Sequence, residues 1–242
     1  ACSLALFWWG RGFEVVGSWV GLGMVLVCVV GSHGGLSVGE DGPTHQCCED
    51  LATMSILPNM TVLCPCDGFE MRLAVKALLE QNGPAYLRMA RLATEQFTDA
   101  IPGYTIRIGN PVTLRPGKDV TIAATGMMVS MAMEAAKLLQ EQGIDARVLN
   151  ISTIKPLDRE LILQAAKETG CIVTTEEHSV IGGLGAAVAS YLSETYPVPV
   201  IRHGVPDRFG RSGNAMDVLD YFGLNPQGIV EHVHKALAVK KG

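Results

Sequence analysis

Eight consecutive residues, Gly39-Glu40-Asp41-Gly42-Pro43-Thr44-His45-Gln46, set two carboxylates and an imidazole within one short loop. A carboxylate accepts a hydrogen bond from a hydroxyl, and an imidazole can donate one or relay a proton near neutral pH. Glycines let the backbone turn through positive φ, and Pro43 stiffens the exit. Asp41 and His45 are therefore candidates to converge on one small polar ligand. The plainer alternative is that Asp41 or Thr44 caps the helix expected next.

Other residues could join them. His33 follows an apolar run at 25–30 and Gly31-Ser32, a position at the carboxyl end of a strand where open α/β sheets bind ligands. Arg91 closes the segment that begins at Gly83-Pro84, and its guanidinium suits a phosphate or carboxylate. Arg88 competes for that task. Cys47-Cys48 and Cys64-Pro65-Cys66 invite a zinc reading with His45, but the spacing does not match a zinc knuckle. Seven cysteines without framework spacing read as buried free thiols of a reducing cytoplasm, with no metal ligand among them. Gly182-Gly183-Leu184-Gly185 resembles a phosphate-binding turn, yet a lone glycine cluster is a weak signal. Glu176-Glu177-His178 looks catalytic by position. The polar loop 207–213 has no assignable ligand.

These residues need elements to hold them. Hydrophobic periodicity predicts strand 24–30, loop 31–44, helix 45–56, strand 60–65, helix 67–81 and strand 84–90. Asp67, with Glu70 three residues on, predicts a capping box. Residues 92–117 carry three prolines and read as a connector with a short strand or two. Strand 120–125, helix 127–142, strand 145–150, helix 158–169, strand 171–175, helix 183–195, strand 198–203 and helix 226–238 follow. Strands alternating with helices imply mostly parallel sheets covered on both faces. The expected fold is α/β: two three-layer α/β/α domains, at 1–95 and 118–242, joined by a linker at 96–117.

Composition limits the function. A 242-residue chain with 48% hydrophobic and 18% charged residues has a core, so disorder is excluded. A net charge of −5 gives no basic footprint for nucleic acid. A mean hydropathy of +0.26 suggests surface that another subunit buries. The apolar run at 15–30 is too short and too glycine-interrupted for a membrane span, so no membrane partner is expected.

The loop 39–46 resembles the corresponding loop of transketolases. The resemblance extends through Thr44-His45-Gln46 with Glu49-Asp50-Leu51-Ala52, Leu57-Pro58-Asn59-Met60-Thr61-Val62, Gly83-Pro84 to Arg91, and Glu176 to Gly185, in that family's order. The chain is similar to the C-terminal subunit of split transketolases. That likeness implies a pyrimidine-binding domain at 1–95, N-terminally incomplete, and a transketolase C-terminal domain at 118–242. It implies thiamine diphosphate held on its pyrimidine side, and transfer of a two-carbon ketol unit from a ketose phosphate to an aldose phosphate. His45 would be catalytic and a sugar contact, with His33, Asp41 and Arg91 as further substrate contacts. The likeness also implies strand-to-helix packing for Gly182–Gly185 and a structural or interface role for Glu176-Glu177-His178. Phe7 would stack on the cofactor's pyrimidine ring, the plainer alternative being a core phenylalanine in an apolar strand, and Glu40 would lie on the cofactor's side of the pocket or at a subunit interface. The partners implied are the diphosphate-binding N-terminal subunit, which would hold Mg²⁺ or Ca²⁺, and a second copy of this chain. No residue ahead of Phe7 matches the glutamate that activates the cofactor in the family. Related thiamine enzymes, deoxyxylulose-phosphate synthase and the beta subunit of 2-oxo acid dehydrogenases, are the alternatives, together with a non-catalytic assembly subunit.

Overall fold

The computed structural model describes residues 1–241, in two five-stranded sheets flanked by helices. The chain opens with β1 (Cys2–Leu4) and α1 (Ala5–Gly10), then α2 (Phe13–Val15), which runs into a π-helical turn Val16–Gly21. β2 (Cys28–Ser32), α3 (Asp50–Ile56), β3 (Thr61–Leu63), α4 (Gly68–Glu80) and β4 (Ala85–Arg88) complete the first half. Strands β1, β2, β4 and β3 lie side by side and parallel, in that order. The fifth position belongs to β8 (Thr153–Lys155), which comes from the second half and pairs antiparallel with β3.

The second sheet has the order β10-β9-β6-β7-β5. β5 (Val112–Arg115) arises within 96–117 and is its antiparallel edge. β6 (Val120–Ala124), α5 (Met128–Glu141), β7 (Ala146–Asn150), α6 (Arg159–Thr169), β9 (Ile172–Ser179), α7 (Leu184–Thr195) and β10 (Val200–Val205) alternate as expected. α8 (Ala215–Tyr221) and α9 (Pro226–Lys241) close the chain. β6 is buried at all five residues, as a parallel strand covered on both faces must be.

Several elements depart from the sequence expectation. Phe7 is on α1, a helix, and not in a strand. β2 starts at Cys28, because the apolar residues before it form helical turns and an exposed bend that leaves Trp19, Leu22 and Leu26 in solvent. Short apolar runs do not distinguish helix from strand. The helix expected from residue 45 begins at Asp50, since Cys47 is drawn into bridges with Gly34 and Gly35. β9 runs on to Ser179, carrying Glu176, Glu177 and His178 into the interior. β1, β8 and α8 had no counterpart in the periodicity. Asp67 does cap α4, accepting from Glu70 N at 2.8 Å. The Glu70 side chain returns to Cys66 N at 2.7 Å, one residue short of a capping box, and also accepts from Tyr104 Oη at 2.6 Å.

One core cluster crosses between the halves. Val29, Met54, Val62 and Tyr86 from the first pack in the same group as Ala123, Leu149, Ile162 and Leu184 from the second. That shared apolar surface fixes the carboxyl end of β9 against the loop that follows β2.

Candidate functional site

The loop after β2 is built by backbone conformations few residues adopt. His33 has φ +58°, in the left-handed region, where a non-glycine residue is uncommon and its strain is a marker of functional sites. Gly35 follows at φ +91°, and its N–H donates to Cys47 O at 2.7 Å. Residues Leu36–Thr44 make 3₁₀ turns broken by Gly39 (φ +73°) and Gly42 (φ +72°). Gly42 has no room for a side chain, because a Cβ there would run into Ser212 Oγ of the loop before α8. Gln46 ties the two loops, donating to Arg211 O at 2.9 Å and to Leu36 O at 3.3 Å. The polar loop 207–213 is thus a wall for the 39–46 loop.

Five of the six candidates lie on or against the 39–46 loop, in two groups: Phe7 with His45, and Arg91 with Glu40 and Asp41. The Phe7 ring, 41% exposed, meets the His45 ring edge-on with centroids 6.3 Å apart. His45 Nδ1 lies 3.0 Å from the Thr44 hydroxyl. Arg91 bonds Val38 O and approaches Glu40 at 3.4 Å and Asp41 at 3.7 Å. Glu40, Asp41 and Arg91 are all exposed, so these pairings are weak and open to exchange for a ligand. His33, half-buried at the end of β2, bonds Ser32 Oγ at 3.1 Å. None of its hydrogen bonds among the described residues reaches the other five. Asp41 caps no helix, since α3 begins nine residues later.

Arg88 is set apart from Arg91. Its guanidinium is buried, donating to Asp50 Oδ2 at 2.9 Å, Glu177 O at 2.9 Å and Cys47 O at 3.3 Å. Every one of those bonds is internal, so Arg88 braces the site floor. The four cysteines of the zinc reading are buried, and burial pushes their thiols up. Among the described residues no three His, Cys, Asp or Glu side chains converge as a metal site.

The Glu176-Glu177-His178 string divides into different tasks. Glu176 accepts from Leu184 N at 2.7 Å and Gly185 N at 2.8 Å, so the protein's own carboxylate fills the glycine-rich turn at the start of α7. Burial pushes its carboxyl up to about 7. His178 is held down to about 4 by burial; it donates from Nδ1 to Ser179 O at 2.8 Å and accepts from Ala52 N at 3.3 Å. Its 3.8 Å approach to Glu176 is accordingly no ion pair. Glu177 crosses to the first half and accepts from Ser37 N at 2.5 Å. Periodicity could not find this contact, because a strand-end carboxylate looks the same whether it faces solvent or another domain.

Fold and site together define a two-sheet α/β protein with a polar loop, a paired arginine and an exposed aromatic at strand carboxyl ends. Residues 6–96 match the transketolase pyrimidine-binding domain and residues 109–229 the transketolase C-terminal domain. A chain described as a transketolase C-terminal section, from Methanocaldococcus jannaschii, is 40% identical over 234 residues, covering 96% of this chain and 73% of that one. A 6-deoxy-6-sulfo-D-fructose transketolase subunit from Clostridium sp. is 43% identical over 209 residues, covering 86% of this chain and 64% of that one. The solved structure of a split gene transketolase, an inactive beta4 tetramer, superposes with a TM-score of 0.92 at 43% identity, over 99% of this chain and 76% of that one. The chain belongs to the transketolase family. No helix among the described residues is long and apolar enough to cross a membrane.

Proposed function

We propose that this chain is the C-terminal subunit of a thiamine diphosphate-dependent transketolase. It would move a two-carbon ketol unit from a ketose phosphate to an aldose phosphate. Its parts would be a partial pyrimidine-binding domain at 1–95, a linker at 96–117 and a transketolase C-terminal domain at 118–242. The observation that carries this reading is the grouping of Phe7, Glu40, Asp41, His45 and Arg91 around one loop.

The residues present suit one end of the cofactor. Phe7 keeps part of its ring exposed, which fits an aromatic partner such as a pyrimidine. The diphosphate and its Mg²⁺ or Ca²⁺ would be held by the partner subunit. When bound, thiamine diphosphate supplies the carbanion stabilisation that breaking a carbon–carbon bond beside a carbonyl requires.

This chain's own residues would bind and orient the sugar. Asp41 accepts from a hydroxyl, and Arg91 exchanges its exposed carboxylate partners for the phosphate, to which its planar fork is matched. His45, steadied by Thr44 at Nδ1, keeps Nε2 to hold or pass a proton at a sugar oxygen. His33 supplies a further polar contact at the strand end, and Glu40 would lie on the cofactor's side of the pocket or at a subunit interface. The exposed Trp19, Leu22 and Leu26 suit a surface covered by the diphosphate-binding subunit or by a second copy. Free thiols at all seven cysteines agree with a reducing cytoplasm.

Relatives named 1-deoxy-D-xylulose-5-phosphate synthase favour one alternative, a related thiamine enzyme that makes 1-deoxy-D-xylulose 5-phosphate. The test is to assemble the chain, extended upstream by a segment that supplies the activating glutamate no residue ahead of Phe7 matches, with a diphosphate-binding subunit, thiamine diphosphate and Mg²⁺. Transfer from fructose 6-phosphate to an aldose phosphate is expected; without that segment little or no transfer is expected. Formation of 1-deoxy-D-xylulose 5-phosphate with no transfer from fructose 6-phosphate would replace the reading with the synthase, and neither activity would leave an assembly subunit.

A further inference from the structure

The second half of the chain reaches into the loop of candidate sugar contacts at one buried point. Glu177, 2% exposed at the end of β9, accepts the backbone N–H of Ser37 through Oε1, across 140 residues of sequence. Its own backbone carbonyl accepts from Arg88 at 2.9 Å, which anchors it to the floor of the site. Gly35 comes so close to the carboxylate that a Cβ there would overlap it. Ser37 and Gly35 sit just before the turns that present Glu40, Asp41 and His45. The other carboxyl oxygen, Oε2, has no hydrogen-bond partner among the described residues. Glu177 also borders a cavity of about 250 Å³ at the carboxyl ends of β3, β4 and β6.

We propose that Glu177 is a positioning residue for the sugar-contact loop, so that the second half of the chain is part of the substrate site. This rests on the transfer reading for what the loop touches, but not for the mechanical claim. A 3₁₀ segment kinked at two glycines has little stiffness of its own, and the backbone N–H at its start is held by a buried acceptor from the other half. Remove that acceptor, and a buried donor is left unpaired while the loop samples other conformations. Substrate would still select the correct one, at a cost in apparent affinity set by its population. Loss of Glu177 should therefore raise KM and largely spare kcat. Burial pushes the Glu177 carboxyl up to about 6, with Arg88 opposing, and a proton on the unpartnered Oε2 would leave Oε1 free to accept. A glutamine has the same shape and the same acceptor, so Glu177→Gln should preserve the function.

Two measurements test this on wild type, Glu177→Ala and Glu177→Gln. In the chain itself, hydrogen–deuterium exchange should accelerate about 10-fold or more in segment 36–46 of Glu177→Ala, the loss expected for one buried hydrogen bond. The strands of the second sheet should keep their protection, and Glu177→Gln should match wild type. In the enzyme assembled with a diphosphate-binding subunit, Glu177→Ala should raise KM for fructose 6-phosphate by about 10-fold with kcat within about threefold. Unchanged exchange at 36–46, uniform acceleration across every segment, or a Glu177→Gln variant as impaired as alanine would each overturn the role. If wild type turns over no fructose 6-phosphate, the transfer reading falls, and the exchange data alone decide whether Glu177 positions the loop.

Discussion

Arg88 and Asp50, 38 residues apart, form an ion pair at 2.9 Å with neither side chain more than 3% exposed. Asp50 starts α3 and Arg88 ends β4, so the pair locks the helix after the candidate loop to the strand beneath it. Tyr86 adds a third bond, donating to Asp50 Oδ2 at 2.7 Å. Breaking a buried pair from one side leaves a charge without a partner, at about 3–5 kcal/mol. Asp50→Ala should lower the midpoint of thermal unfolding by on the order of 10 °C for a chain of this size. Arg88→Met should also be costly, and the double variant should lose much less than the sum of the two. Strict additivity in thermal unfolding would mean that the pair carries no coupling.

His45 is expected to act on substrate, with little influence on cofactor. In the assembled enzyme, His45→Ala should reduce kcat/KM by about 100-fold, near 3 kcal/mol of transition-state stabilisation. Thiamine diphosphate affinity should stay within about threefold of wild type, because the contact is to the sugar. Steady-state kinetics and a cofactor titration check both. Turnover at the wild-type rate would remove His45 from the site.

Gly42 faces two constraints that can be separated. A side chain there meets Ser212 Oγ, and φ +72° strains any residue with a Cβ. Gly42→Ala should cost about 1–3 kcal/mol. Combining it with Ser212→Ala should restore the steric part and leave the backbone part, so denaturant unfolding should show partial recovery. Full recovery would mean that the backbone conformation is not strained, and none would mean that the two loops do not touch.

The pH dependence of stability should reflect opposing buried groups. His203 accepts from the Thr175 hydroxyl at 2.8 Å and donates to Gly223 O at 2.8 Å, and burial holds it down to about 4. A histidine depressed in the folded state contributes stability that is present above its ordinary value near 6.5 and is lost as pH falls towards 4. Glu176 and Glu177 are raised by burial to about 7 and about 6, so their contribution is present below 4.5 and lost as pH rises through those values. Each effect is on the order of 2–3 kcal/mol. His203→Gln should tilt the profile towards greater relative stability at pH 5, and Glu176→Gln should tilt it the other way. Thermal melts at pH 5, 6 and 7.5 distinguish the two, and parallel profiles for both variants would refute the assignment.

The elements most legible in the sequence were those whose stabilising bonds close within a few residues. Asp67 meets Glu70 N, a contact along one turn of chain that the spacing of the two acids predicts. The alternation from residue 120 onwards was legible for the same reason, since a parallel strand buried on both faces is apolar throughout. The identity of the 39–46 loop was carried by its own side chains and needed no coordinates.

Tertiary structure decided what those residues touch. Arg88 and Arg91 are three positions apart and chemically equal in sequence, yet Asp50 and the Cys47 and Glu177 carbonyls bury one while the other stays among exposed carboxylates. β8 joins the first sheet from the second half, and Glu177 reaches Ser37, because the shared core brings the two sheets' strand ends together. The 207–213 loop became a wall for the same reason. Local propensity acts over one turn or one strand, whereas burial of a charge depends on surfaces supplied by distant chain. The sequence by itself therefore determined the pieces and the loop, and only packing determined which charged groups were buried and which stayed exposed.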